Sequence, residues 1–158
     1  GNIFSPYDLE NTSYDDKSLL VGNIFDGSND IIFNNDGTKI FILGRNDDIV
    51  YQYSLSVAFD LSTASYDGVS LNVNSGRILD ATGIAFSNDG TKMFITGQFG
   101  EVEDIDQYTL TTGFDLSTAS YDNVSFDVSG QKANPTGITF NNDGTKMFMV
   151  GESLSSVQ

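Results

Sequence analysis

The stretch FNNDGTKIF, residues 33–41, decides the fold, because the chain contains it three times. The second copy is FSNDGTKMF at residues 86–94, and the third is FNNDGTKMF at residues 140–148. The copies begin 53 and 54 residues apart. A regular spacing near fifty residues is typical of repeat architectures, so the chain is predicted to be a tandem array of one structural unit.

Each copy predicts a tight β-hairpin, because Asn-Asp-Gly between two apolar runs is a strong turn signal. Gly37 is expected to take the positive φ angle that such a turn requires. A calcium-binding loop is the alternative for Asn-Asn-Asp-Gly-Thr. An EF-hand loop needs a glutamate at its twelfth position, however, and counting from Asn34 that position is Arg45. The hairpin turn is therefore the prediction.

A second motif recurs between these hairpins. Phe59–Asp67 returns as Phe114–Asp122, and a more divergent copy, Tyr7–Asp15, opens the chain. Its aspartate is followed three positions later by threonine, which predicts a turn capped by the side chain, about one helical turn in length. The motif is expected to form a structural corner between two strands.

Apolar patterns between the motifs predict four strands per unit, called runs a to d. Run b is apolar on both faces, since Ile40 and Ile42 point one way and Phe41 and Leu43 the other. Runs c and d alternate, so burial is expected to fall from a and b towards d, with one wetter face on c. The predicted strands are Ile31–Phe33, Ile84–Phe86 and Ile138–Phe140 (a); Lys39–Leu43, Lys92–Thr96 and Lys146–Val150 (b); Val50–Leu55 and Ile105–Leu110 (c); Lys17–Val21, Val69–Val73 and Val124–Val128 (d).

Four-stranded antiparallel sheets that repeat and stack face to face are the blades of a β-propeller. The predicted fold class is therefore all-β, a β-propeller with three repeats of about 53 residues in one domain, residues 1–158. The divisions are a partial unit 1–29, repeats 30–82 and 83–136, and a partial unit 137–158. A β-sandwich of duplicated hairpins is the alternative.

The repeated Phe-(Ser/Asn)-Asn-Asp-Gly-Thr-Lys-(Met/Ile)-Phe stretch resembles the strand–turn–strand of WD40-like and surface-layer, lactonase-type propeller repeats. Together with the Phe-Asp-Leu-Ser-Thr-Ala-Ser-Tyr motif it is similar to tandem arrays in large bacterial and phage surface proteins. The resemblance implies propeller architecture and an extracellular, cell-surface or virion-surface location. The chain has no tryptophan, so it lacks the WD40 signature proper.

Composition excludes several functions. With 7 basic and 22 acidic side chains the net charge is −15, which disfavours nucleic acids and anionic membranes as partners. No apolar run approaches the roughly 20 residues of a membrane span. The absence of cysteine and histidine excludes cysteine nucleophiles, serine–histidine triads and the usual zinc ligands. Any catalysis would use carboxylates, tyrosine, lysine or a bound hard cation.

Self-association is expected, because propellers close with four to eight blades and three would leave a blade face and strand edges open. The prediction is a homodimer that assembles head to tail into a six-bladed ring. A fragment of a longer repeat protein would explain the same pattern.

Binding residues are expected in the loops from b to c and from d to a, which differ between units and share one end of a propeller. Two sets are predicted there, each with an ordinary solvated loop as the alternative. The residues proposed to hold Ca²⁺ through oxygens are Asp47, Asp48, Glu101, Glu103 and Asp104. The residues proposed to contact a sugar or carboxylate ligand are Arg45, Arg77, Gln98 and Phe99.

Two functions remain from the sequence. The favoured interpretation is a non-catalytic binding or structural module with a protein or carbohydrate ligand and no cofactor beyond Ca²⁺. The alternative is a metal-assisted hydrolase of the lactonase type. Lactonase-like sites take ligands from several blades, whereas the acidic candidates here crowd into two loops, which favours the first interpretation.

Overall fold

The computed structural model of the protein describes residues 12–22, 27–44, 46–74, 78, 80–99, 102–131 and 134–152. These residues form ten strands and three short 3₁₀ turns, and none of their helices is long and apolar enough to cross a membrane. The strands are β1 (Ser28–Phe33), β2 (Lys39–Gly44), β3 (Ile49–Leu55), β4 (Ala64–Asn72), β5 (Asp80–Phe86), β6 (Lys92–Phe99), β7 (Val102–Leu110), β8 (Ala119–Asp127), β9 (Pro135–Phe140) and β10 (Met147–Gly151).

The strands form three antiparallel sheets in chain order. Sheet 1 has the order β1-β2-β3-β4, sheet 2 has β5-β6-β7-β8, and sheet 3 consists of β9 and β10. Each strand pairs with its neighbour in sequence, so each sheet is built by hairpins alone. The all-β class and the four-stranded antiparallel blades predicted from the sequence are confirmed.

The repeated glycine turns close the first hairpin of every sheet. In sheet 1 the Asp36 carboxylate accepts hydrogen bonds from the Thr38 backbone N–H at 3.0 Å and from the Thr38 hydroxyl at 2.5 Å. Gly37 has φ +71°, a conformation that a residue with a Cβ resists. The same carboxylate-to-threonine bonds recur at Asp89 and Asp143. The turn prediction is confirmed.

The second motif forms the predicted capped turn between the third and fourth strands. The 3₁₀ turn Leu61–Thr63 is capped by Asp60, whose carboxylate accepts the Ser62 N–H at 3.1 Å. Leu116–Thr118 repeats this geometry with Asp115 and Ser117 in sheet 2. The corner is therefore set by residues close in sequence, which explains why the motif is so regular.

The sheets stack face to face, and the second strands of sheets 1 and 2 are covered on both sides as predicted, whereas Phe148 and Val150 on β10 of sheet 3 are exposed, contrary to the prediction. Phe41 and Leu43 are fully buried in the core between sheets 1 and 2, where they meet Met93 and Ile95 of β6. Each such side chain stabilises the stack by about 1.5–3 kcal/mol relative to exposure. The opposite face of β2 forms a second core, and sheets 2 and 3 enclose a third.

Burial along each sheet differs from the prediction. Run c was expected to have a wetter face, yet Gln52 on β3 is 4% exposed because its amide is hydrogen-bonded inside the stack. Run a was expected to be among the driest. Ile31 on β1 is nevertheless 52% exposed, since the described residues cover that face of the strand only in part.

The early copy of run d, Lys17–Val21, is not a strand in the structure. It instead lies against the outer face of sheet 1, where Leu19 and Val21 pack on the core formed by Ile40 and its neighbours. Lys17 Nζ also forms a 2.5 Å ion pair with Asp60. The segment keeps the apolar contacts of a fourth strand, but none of the described residues pairs with its backbone as a third strand would.

Candidate functional site

The two ends of the stack carry different connections, as predicted. At one end, the turn end, Phe59 N donates to Gly37 O at 2.9 Å, so the glycine turn and the capped turn lie together. At the other end, the loop end, Val73 N donates to Asp48 O at 2.8 Å. The connections that vary between units therefore gather at the loop end.

Two carboxylates of sheet 1 reach the first strand of sheet 2. Asp48 Oδ1 accepts the Ala81 backbone N–H at 2.8 Å, and Asp30 Oδ2 accepts the Ile84 N–H at 3.0 Å. Within the described ranges strand β5 pairs only with β6, so these N–H groups belong to a strand edge. The first strands of successive sheets contact one another, which places both carboxylates at the inner edge of the stack.

Asp48 lies in surroundings that favour the protonated form of its carboxyl group. It is 5% exposed, and burial is the main cause that raises the pKa of its carboxyl. The Ala81 N–H opposes this increase, while the negative charges of Asp80 and Asp47 reinforce it. Asp80 is exposed, so the cluster of Asp47, Asp48 and Asp80 borders solvent at Asp80. A carboxylate that binds protons more readily than usual can act as a general base near neutral pH.

Asp47, one of the predicted metal ligands, is engaged in its own loop. Its Oδ2 accepts the Tyr51 hydroxyl at 2.5 Å, and its Oδ1 accepts the Ile49 N–H at 3.3 Å. Burial and this bond raise the pKa of Tyr51, so the phenol stays protonated as the donor. Asp47 thus shapes the loop that presents Asp48.

Glu103 and Asp104 do not lie in a loop, contrary to the prediction for residues 97–104. Phe99 pairs with Val102, and Gln98 pairs with Glu103, so β6 and β7 continue to a two-residue connection. Asp104 is fully buried, as is Asp106, whose Oδ1 accepts the Ser125 hydroxyl at 2.5 Å. The sequence did not predict the start of β7 because it contains Glu103 and Asp104, and buried carboxylates are rare in proteins unless they are paired.

Several predicted site residues lie outside the described part of the chain. Arg45, Arg77 and Glu101 do so entirely, and of Gln98 and Phe99 only the backbone is described, at the end of β6. Among the described residues, no three of the type Asp, Glu, His or Cys come close enough to hold a metal ion. The ligand set and the Ca²⁺ set therefore stay predictions.

The sequence missed the polar residues that begin the inner strands. Asn29 Nδ2 donates to Ala81 O at 2.7 Å, and Thr82 Oγ1 donates to Pro135 O at 2.5 Å. These two residues occupy corresponding positions in successive units, and each ties its sheet to the next one. The predicted strands began two residues later, at Ile31 and Ile84. The sequence did contain a signal for these residues, because Asn29 and Thr82 each stand two residues before the first isoleucine of their strand.

No protein-family model matches this sequence, and a comparison with curated proteins also found no match. Solved structures do resemble it. A protein provisionally named a 6-phosphogluconolactonase from Bacteroides fragilis has a TM-score of 0.63 at 11% identity, over 84% of this chain and 34% of its own. One with the same provisional name from Bacteroides uniformis has a TM-score of 0.61 at 11% identity, over 81% and 34%. The chain therefore spans about a third of the length of these structures.

The resemblance identifies the fold as propeller-type, as predicted, and a WD40 family is not part of that result. It also overturns the favoured functional interpretation. A non-catalytic binding module was predicted, yet both neighbours carry the name of a lactone-hydrolysing enzyme. The prediction weighed the spacing of acidic residues along the sequence and did not consider that Asp30 and Asp48 of sheet 1 both bond strand β5 at the inner edge of the stack.

Proposed function

We propose that this chain forms part of a propeller hydrolase of the lactonase type that opens sugar lactones at the loop end. The observation that carries the proposal is Asp48, a nearly buried carboxylate at the inner edge whose pKa is raised. The likeness to two structures named as 6-phosphogluconolactonases supports this reaction class. Ester hydrolysis needs a base that can take a proton from water, and this chain has no histidine to supply one.

The proposed reaction uses Asp48 twice. Asp48 Oδ1 remains on the Ala81 N–H, while Oδ2 takes a proton from the water whose oxygen attacks the lactone carbonyl carbon. The tetrahedral oxyanion then collapses and breaks the bond to the ring oxygen. That oxygen leaves as a hydroxyl after taking the proton back from Asp48. The product is the open-chain hydroxy acid, and the carboxylate is regenerated.

Charge restricts the substrate. The chain carries −15, so an anionic lactone would be repelled unless cations stand in its path. Arg45 and Arg77 belong to the connections of the loop end in sequence, and a guanidinium binds phosphate or carboxylate through two parallel hydrogen bonds. We therefore assign the charged substituent of the substrate to these two arginines.

Hydrolysis of gluconolactone and of its 6-phosphorylated form, measured against the spontaneous rate, tests the proposal. Asp48→Asn is expected to lower kcat by about 100-fold or more, the usual contribution of a general base. Asp36→Asn, at the turn end, is the matched control and should keep the rate. Arg45→Ala should raise KM for the phosphorylated lactone alone. Wild-type rates equal to the spontaneous ones, or a fully active Asp48→Asn protein, would refute the proposal.

The Ca²⁺ prediction has its own test. Asp47 and Asp48 would need Glu101 or further carboxylates, because the described residues do not provide three ligands together. A bound ion would raise the melting temperature by mass action in a Ca²⁺ titration. An unchanged melting temperature at millimolar Ca²⁺ would remove the ion from the proposed site.

A further inference from the structure

A glycine lies beneath an aromatic ring in two units but not in the third. A Cβ built on Gly37 would come within 2.4 Å of Phe59 Cδ2, and one on Gly90 within 2.3 Å of Phe114 Cδ2. Gly144 has the same φ of +71°, yet no described atom lies within 4 Å of its Cβ position. The third glycine therefore has room for a ring that the described residues do not supply.

A cleft occupies this position. It has a volume of about 340 Å³ between sheets 2 and 3 at the turn end, and its lining includes Lys92, Phe94, Phe140 and Gly144. The corresponding space between sheets 1 and 2 is filled by Phe114. The ring of Phe114 lies 5.3 Å from that of Phe86 and 6.4 Å from that of Phe41.

The backbone around Phe114 is held as well. Lys39 Nζ donates to Phe114 O at 2.9 Å, which ties the lysine of one unit to the capped turn of the next. Lys92 occupies the position of Lys39 in the cleft, and Phe94 occupies that of Phe41. Phe94 is thus placed to receive a Phe-Asp-Leu turn, while Lys92 Nζ, which bonds Asp122 at 3.0 Å here, would exchange that bond for the carbonyl of the incoming turn.

We propose that the cleft receives the Tyr7-Asp8-Leu9 segment of a second copy of this chain, with the Tyr7 ring over Gly144, and so joins the copies head to tail. Tyr7-Asp8-Leu9 is the third version of the sequence Phe59-Asp60-Leu61. Tyrosine keeps the aromatic ring of phenylalanine and adds a hydroxyl that can reach water. The inference does not depend on the proposed activity.

The described residues that follow the segment contact sheet 1, far from the cleft. Lys17 pairs with Asp60 of sheet 1, and Leu19 and Val21 pack on the outer face of that sheet. Sheets stack roughly 10 Å apart, so the cleft between sheets 2 and 3 lies about 20 Å from that face, which favours a second copy as the source of the segment.

The outer faces of sheets 1 and 3 both expose apolar side chains whose counterparts in the other sheets are buried. Phe148 and Val150 on β10 are 38% and 46% exposed, although Phe41 and Leu43 at the same positions of β2 are fully buried. On the other side, Ile31 is 52% exposed, whereas its counterpart Ile84 is 3% exposed. The two exposed faces therefore correspond to the two faces that pack on each other between sheets 1 and 2.

Aromatic and amide contacts repeat across the internal junctions. The rings of Phe41 and Phe86 lie 4.7 Å apart, and those of Phe94 and Phe140 lie 4.6 Å apart. Phe148 would meet Phe33 of the second copy in the next contact of this series.

The amide ladder runs along the same junctions. Asn35 Nδ2 donates to Asn88 O at 2.6 Å, and Asn88 Nδ2 donates to Asn142 O at 2.5 Å. Asn142 is the next donor in the series, with Asn35 O of the second copy as its acceptor. Because the two faces differ, the contact is heterologous, and two copies close a ring only if both junctions form.

Light scattering after size exclusion tests the junction. The chain has a mass of 17.1 kDa, and the wild type is expected to give twice that value at about 50 µM, well above the dissociation constants of standard interfaces. Tyr7→Ser and Phe148→Glu should each give the mass of a single chain. Tyr7→Phe, which restores the ring of the other units, should remain dimeric. Val57→Glu adds the same charge at an exposed position of the turn end and should also remain dimeric.

Mixing the two monomeric variants tests the head-to-tail arrangement. The Phe148→Glu chain keeps Tyr7, and the Tyr7→Ser chain keeps its cleft and β10 face, so one intact junction can form between them. The mixture should recover the mass of two chains. A monomeric wild type, a dimer that survives both substitutions, or a mixture that stays monomeric would overturn the proposal. Circular dichroism confirms that each variant is folded.

Discussion

Gln52 of sheet 1 accepts the backbone N–H of Leu116 of sheet 2 through its Oε1, at 2.9 Å, while 4% of the residue is exposed. Its Nε2 also donates to Asp67 at 2.8 Å within its own sheet. One amide therefore links a capped turn to the sheet that precedes it. A buried amide with both ends bonded holds the register between two units as well as their separation.

Replacement of Gln52 by leucine should be costly despite the similar volume. It leaves the Leu116 N–H without its acceptor in a buried position, which costs about 1–3 kcal/mol. Gln107→Leu is the matched control, because Gln107 is only partly buried and Asp122 keeps its bonds from Thr109 and Lys92. Urea unfolding measures both. Equal losses of unfolding free energy in the two variants would show that the bond from Leu116 N to Gln52 Oε1 does not add to stability.

The glycine turns provide a comparison at constant backbone conformation. Alanine at Gly90 and at Gly144 meets the same positive φ, which costs about 1–2 kcal/mol. Only at Gly90 must the Phe114 ring also move, because the new Cβ would lie 2.3 Å from it. Gly90→Ala should therefore be the less stable variant by a further ~1–3 kcal/mol. Unfolding is measured in the Phe148→Glu background, so that association does not contribute.

Asp48→Asn is expected to stabilise the protein while it removes the proposed base. The asparagine Oδ1 can still accept the Ala81 N–H, and the buried charge beside Asp80 and Asp47 is gone. A single stabilising substitution commonly raises the free energy of unfolding by about 0.5–2 kcal/mol.

The pH dependence of this gain has a definite sign. A carboxyl with a raised pKa binds its proton more tightly in the folded state, so wild-type stability increases as pH falls through that pKa. The advantage of Asp48→Asn should thus be largest at pH 7 and smallest near pH 3. An Asp48→Asn protein that is less stable than wild type at pH 7 would contradict this assignment.

The hydroxyl of Ser87 lowers the pKa of Asp89 to about 2, with further help from Thr91. Ser87→Ala should raise that pKa towards 3.8, the value of a free aspartate side chain. The Asp143 carboxyl, which has Asn141 at the corresponding position, is the internal control and should not move. Carbon-detected NMR titration of the two carboxyl groups measures both. Because the folded pKa is depressed, the contribution of Asp89 to stability is present above about pH 4 and is lost as pH falls through 2.

Salt should strengthen the proposed dimer. Each copy carries −15, and the junction consists of apolar and amide contacts rather than ion pairs between copies. Repulsion between the copies is screened over about 10 Å at 0.1 M ionic strength. The dissociation constant of the dimer, measured by light scattering on dilution, is therefore expected to fall as NaCl is raised from about 20 to about 300 mM, because the Debye length shortens over that range. An increase would indicate that ion pairs dominate the junction.

Short-range patterns predicted the architecture of the units well. Asp36 and Gly37 specify a turn through bonds that reach only to Thr38, and Asp60 caps a turn through Ser62. The alternation of Ile40 and Phe41 predicted a strand buried on both faces, which the structure confirms. The candidate site was predicted less well. Asp104 was placed in a loop and lies in a strand, and Asp30 was not considered.

By itself the sequence determined the repeat, its turns and the two apolar faces of β2, because those depend on chemistry within a few residues of chain. Only the tertiary structure decided that Gln52 is dry, that Asp48 bonds Ala81, and that Gly144 borders a cleft. Each of these facts depends on how one sheet sits on the next, between residues that are distant in sequence. Desolvation and hydrogen bonding across the stack exist only after the sheets have packed, so no local pattern can encode them.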